Sequence, residues 1–131
     1  MEKLWLYLVV GLGSALGGVG RFWLSGAVAE RFGQTFPWGT LVVNVTGSFV
    51  IGLFVSLTGP DGRVLVHPRF SQFFVAGLCG GYTTFSSFSL QTLNLAREGQ
   101  FLYAAANAVF SVLLCLAAVW LGHLAGQAFN R

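Results

Sequence analysis

Charged residues are so sparse along this 131-residue chain that they mark out its elements by themselves. Apolar runs free of Asp, Glu, Lys and Arg cover 32–60, 70–96 and 101–130, and a fourth run, 4–20, continues past the lone Arg21 toward Ala29 if helical. Each reaches or exceeds the roughly 20 residues that a membrane-crossing helix needs. The connectors are short and carry turn chemistry: 30–34 leading to Pro37, Gly59-Pro60-Asp61-Gly62-Arg63 leading to Pro68, and Arg97-Glu98-Gly99-Gln100. The pattern predicts an all-α membrane protein in which 1–131 forms one four-helix transmembrane domain, with no room for a soluble one. Trp5, Trp23, Trp38 and Trp120 fall near predicted helix ends, where interfacial aromatics sit; Trp23 could equally be buried.

The third run departs from a plain apolar helix. At its centre stands Gly80-Gly81-Tyr82-Thr83-Thr84-Phe85-Ser86-Ser87-Phe88-Ser89, a glycine pair followed by hydroxyls interleaved with aromatics. In a membrane-spanning segment this cluster would lie near the hydrocarbon midplane. Irregular backbone and gathered hydroxyls persist at that depth only where protein or water satisfies them, which points to a binding site or a conduction path. A break in the third helix near Gly80, Gly81 and Thr83 is therefore expected.

Polar positions in the neighbouring runs recur at helical spacing. Thr40, Asn44 and Ser48 share one face of the second helix, and Asn107, Ser111 and Cys115 share one face of the fourth. Taken alone, such side chains glue helices together at about 0.6 kcal/mol per hydrogen bond. Beside a broken helix, a polar track facing a pathway explains them better. Arg21 costs roughly 2.5–3.5 kcal/mol in a membrane interior, so it either lines the mouth of an aqueous vestibule or contacts backbone carbonyls or a loop carboxylate.

Composition agrees with the membrane assignment: 55% of the residues are hydrophobic and 8% charged, where a soluble surface wants roughly a quarter charged. The seven Lys and Arg are scattered singly, so the net charge of +3 makes no basic patch and nucleic acid is excluded as a partner. Cys79 and Cys115 lie inside apolar runs, where small hydrophobic packing is the ordinary role. The termini and middle connector carry Lys3, Arg63, Arg69 and Arg131, against Arg31 and Arg97 on the other side, joined by Arg21 if it lies near that surface. Orientation follows such asymmetry. A bias this weak lets the chain insert either way round, which raises the possibility of a homodimer of oppositely oriented copies.

What is missing separates the functional classes. Proton-coupled transporters and pumps use a carboxylate within a span, whereas Glu2, Glu30, Asp61 and Glu98 all fall at ends or in connectors. Hydrolysis within the membrane needs paired aspartates, a metal constellation or a serine with a matched base, and only serines and the isolated His123 are present. An enzyme is not expected; passive conduction or a structural role remains. The central cluster favours an anion, because hydroxyls and the Asn44 amide donate hydrogen bonds and the rings of Phe85 and Phe88 present positive edges.

At these residues the sequence resembles the small fluoride channels of the CrcB/Fluc type. The likeness covers essentially the whole chain, through Gly17-Gly18-Val19-Gly20-Arg21, Trp38-Gly39-Thr40-Leu41 on to Asn44 and Gly47, and the ten-residue string 80–89. The resemblance implies four helices per subunit in a dual-topology antiparallel homodimer, two antiparallel fluoride pores and a central structural sodium ion. It also implies passive export of toxic fluoride across the cell (inner) membrane. By position, Phe85 and Phe88 match paired pore phenylalanines, Asn44 a pore asparagine and Ser111 a hydroxyl of the polar track. The carbonyls of Gly80 and Thr83 match the sodium-holding positions, and Arg21 matches a first-helix arginine. Thr84 and Ser87 from the central cluster and Asn107 from the fourth helix complete the candidate pore set. The alternatives are a small dual-topology multidrug transporter, which requires a membrane-embedded glutamate, and a nonconducting membrane scaffold.

Overall fold

The structure, a computed structural model, describes all residues 1–131 and is entirely helical. Helix α1 spans Glu2–Phe32 and stops at Gly33, whose φ of 90° suits glycine. Pro37 precedes α2, Trp38–Thr58. His67 caps α3, Pro68–Gln72, by accepting the Arg69 N–H at 3.1 Å, with Pro68 in the first turn, where its missing N–H costs nothing. A π-helical stretch, Phe73–Cys79, and a single turn α4, Gly80–Tyr82, carry the same rod onward. After two extended residues come α5, Phe85–Arg97, and α6, Phe101–Asn130, joined through Gly99 at φ 79°.

Three of these helices, α1, α2 and α6, are each long and apolar enough to cross a membrane. The run 70–96 takes a different form, a widened rod ending at Tyr82 and a second helix starting at Phe85. Arg21 does not interrupt α1, and the limits of α6 coincide with the uncharged run 101–130.

Helix α2 lies along α6, α1 lies along the π-helical stretch and α4, and α5 rests on α6. Between lipid-facing helices there is no hydrophobic drive to associate, so close backbone packing at small residues matters. Gly122 of α6 meets the backbone of Phe49 and Leu53, and Gly17 of α1 meets that of Leu78 and Tyr82; a Cβ at either would collide with main chain. At the far end Asn130 donates to the Ser56 carbonyl at 2.9 Å and accepts the Arg63 N–H at 3.1 Å, fastening the α2–α3 connector to the end of α6.

Only 17 of 131 residues are buried, so the chain's apolar surface requires lipid or another chain to cover it. Trp23 is among the uncovered side chains rather than in the interior.

Candidate functional site

The two extended residues between α4 and α5 organise the site. Glycines 80 and 81 and the β-branched Thr83 and Thr84 are weak helix formers, and the chain leaves the helix at Thr83 (φ −84°, ψ 160°) and Thr84 (φ −151°, ψ 124°). Thr84 then caps α5 by accepting the Ser87 N–H on its hydroxyl at 3.2 Å.

Leaving the helix frees backbone groups, and two other helices meet them. Asn44 of α2 accepts the Thr84 N–H at 2.8 Å and donates to the Thr84 carbonyl at 2.9 Å, pairing with that residue as a neighbouring strand would. Thr84's N–H is thereby diverted from the Gly80 carbonyl four residues back. Arg21 Nε donates to the Gly81 carbonyl at 3.2 Å. Both the amide and the hydroxyl of Thr83 donate to the Cys79 carbonyl, at 3.0 and 2.9 Å. Tyr82 OH and Thr46 Oγ1 lie 2.7 Å apart. Gly47 leaves room here, since a Cβ there would collide with the Thr83 methyl and stand 3.0 Å from the Tyr82 ring.

Two concavities meet at the interruption. One is an uncharged groove of about 380 Å³ between α2, the interrupted rod and α6, lined among others by Asn44, Gly80, Thr83, Thr84, Phe85, Phe88 and Ser111. The Phe85 and Phe88 rings have centroids 5.4 Å apart at 51°, and Phe85 is 76% exposed, so the groove is open along that side. The other is a polar vestibule of about 700 Å³, where Arg21, Glu30, Ser87, Gln91, Asn94 and Glu98 gather beneath the α1–α2 connector. Thr84 lines both. The polar face of α2 runs through them in order, Thr40 in the vestibule, then Asn44 and Ser48 in the groove.

The candidate residues are thus gathered, with two distinctions. Ser87 and Arg21 belong to the vestibule, and Arg21 is at once a vestibule residue and a partner of a backbone carbonyl, which joins the two roles its sequence position left open. Asn107 lines neither space; it is 2% exposed and lies behind the groove wall, donating to Thr92 Oγ1 at 2.9 Å and accepting the Ser111 hydroxyl at 3.2 Å. Of the vestibule side of α5 only Ser87 is among the sequence-predicted residues; Gln91, Asn94 and Glu98 follow it at helical spacing, and that periodicity is the signal that marks them.

An all-helical chain with three membrane-length helices, with polar side chains gathered around the two extended residues between α4 and α5, is an integral membrane protein. A family profile described as "CrcB-like protein, Camphor Resistance (CrcB)" matches residues 8–123, and the chain belongs to that family. It is 62% identical over 125 residues to the fluoride-specific ion channel FluC of Rhodospirillum rubrum, covering 95% of this chain and 97% of the relative. It is 61% identical to the protein of that name from Opitutus terrae and 57% identical to the one from Methylocella silvestris, each over 125 residues covering 95% of both chains.

Proposed function

We propose that this chain is a fluoride-selective channel that lets toxic cytoplasmic fluoride leave the cell passively, and that it acts without catalysis. The observation that carries the reading is Thr84, shared by a vestibule containing Arg21 and a neutral groove of hydrogen-bond donors and aromatic edges. A small anion drawn toward the arginine would exchange its water for donors. Asn44 commits one Nδ2 hydrogen to the Thr84 carbonyl and keeps a second. Phe85 and Phe88 offer ring edges beside it, and a narrow path of this kind selects by replacing the hydration shell. High identity to proteins named for fluoride supports the choice of ion. A multidrug transporter is disfavoured because the groove contains no carboxylate for a cation.

The assay is fluoride efflux from proteoliposomes under a potassium gradient, with chloride as comparison. Rapid fluoride loss with little chloride loss is expected; equal rates for the two halides would sink the selectivity.

The working unit we propose is an antiparallel homodimer in the inner cell membrane, each copy crossing the bilayer four times with the interruption of its third crossing near the midplane. The exposure of Phe85 and the open groove support a second copy as the missing wall. The resident cofactor of this reading is a structural sodium ion. Gly80 and Thr83 fit it in chemistry: both border the groove, and Gly80's carbonyl has lost the N–H of Thr84 to Asn44. Carbonyl oxygens suit a hard monovalent cation, and two from each copy would hold it, supplying a fixed charge and a tie between subunits. Dual insertion has its own test. A reporter fused to the C-terminus is expected on both sides of the membrane, and moving two or three Lys or Arg between connectors is expected to bias it to one side. A single orientation for the unaltered chain would rule out the antiparallel dimer.

A further inference from the structure

Behind the groove wall, three side chains form a hydrogen-bond chain whose direction is forced by chemistry. It ends on the Phe88 carbonyl, which can only accept, so Thr92 Oγ1 donates to it at 2.7 Å. With its hydrogen committed, Thr92 can only accept from Asn107, whose Nδ2 lies 2.9 Å away. The Asn107 amide is thereby oriented with Oδ1 toward α6's next turn, where Ser111 Oγ donates to it at 3.2 Å. Ser111 lines the groove, yet its single hydrogen is turned to Asn107 and away from any occupant.

We propose that Thr92 is a positioning residue: acting through Asn107, it holds the Ser111 hydroxyl as an acceptor toward the groove and so keeps the groove's grip on a passing anion weak. The inference rests on the fluoride reading above. An anion can use Ser111 only when the hydroxyl turns from Asn107, which leaves the buried Oδ1 without a donor. That cost lowers affinity, and conduction needs a site weak enough to leave as well as favourable enough to enter. Neither Thr92 nor Asn107 lines the groove, so both act at one remove from the ion.

Thr92→Val removes the only group that orients the Asn107 amide. The amide can then turn Nδ2 toward Ser111, and the hydroxyl hydrogen is released to the groove. The half-saturating fluoride concentration for efflux is expected to fall about two- to tenfold, the factor that one net hydrogen bond supplies. Asn107→Leu, which removes the acceptor outright, is expected to shift it the same way and serves where Thr92→Val does not fold; Thr92→Ser, which keeps the hydroxyl, is expected to stay at the wild-type value. In a Ser111→Ala background neither Thr92→Val nor Asn107→Leu is expected to change half-saturation, with the dimer followed throughout by size exclusion. A shift of equal size in the Ser111→Ala background would assign Thr92 to helix packing and overturn the proposal. So would unchanged half-saturation in folded Asn107→Leu while wild type conducts. Wild-type vesicles that pass no fluoride would instead remove the fluoride reading, and this inference with it.

Discussion

Replacing Phe88 by isoleucine is expected to cut fluoride efflux about tenfold or more while leaving a folded protein. Isoleucine keeps an apolar side chain against the groove but lacks the positive edge of the ring quadrupole. A tenfold loss corresponds to about 1.4 kcal/mol, within reach of what such aromatic contacts supply. Phe88 is half-buried, lines the groove and sits 5.4 Å from the more exposed Phe85, so its ring borders the space an ion would occupy. Phe74 supplies the control. Its ring stacks on Phe54 at 4.1 Å and 19°, away from the groove. Phe74→Ile is expected to lose that stacking, about 0.5–1.5 kcal/mol plus the change in packing, with flux per folded protein unchanged. Efflux and size-exclusion profiles of both variants decide the matter. Equal flux in Phe88→Ile and wild type would remove the ring from the mechanism, and loss of the folded protein would return Phe88 to a packing role.

Much of this arrangement is legible in the chain because a membrane simplifies the code. Charges other than Arg21 stay out of the long apolar helices, so the uncharged run 101–130 coincides with α6, while the run 32–60 is trimmed to α2 by Pro37 and Gly59 and the run 70–96 divides into several elements. The glycine pair and the threonines flag an irregularity, but the groups that satisfy its backbone are Asn44, on Thr84, and Arg21, on the Gly81 carbonyl. These bind it from 40 and 60 residues away, and no local pattern encodes that pairing. The π-helical stretch Phe73–Cys79 has no signature in its apolar sequence either. Spacings four apart do carry a signal: Gly13 with Gly17, Gly77 with Gly81 and Gly122 with Gly126 mark the close helix contacts. Asn107 shows the limit. Its helical spacing from Ser111 is plain, yet whether it faces the ion or the next helix is decided by Thr92 across the α5–α6 contact.

The break itself is expected to depend on Asn44 more than on any other side chain. Asn44→Leu keeps the branched shape and the number of heavy atoms but strips the Thr84 N–H and carbonyl of their partners together. A fully buried group left unpaired costs about 1–3 kcal/mol, and these two are part-buried, so a loss of up to roughly 2–6 kcal/mol is expected. Without the clamp the segment is expected either to refold into a continuous helix or to fail to pack on α2. Arg21→Gln removes one bond to one carbonyl, at 3.2 Å, and is expected to cost less than half as much. Asn44→Asp separates the two halves of the clamp, because it retains an acceptor for the Thr84 N–H and loses the amide donor to the carbonyl. It is expected to fall between Asn44→Leu and wild type. The measurement is thermal unfolding of the purified protein in detergent, followed by aggregation on size exclusion, with efflux recorded for whatever remains folded. An unfolding midpoint for Asn44→Leu equal to that of wild type would show that the interruption stands without the clamp. Loss of flux in that stable variant would then assign Asn44 to the ion alone, through the Nδ2 hydrogen it does not give to Thr84.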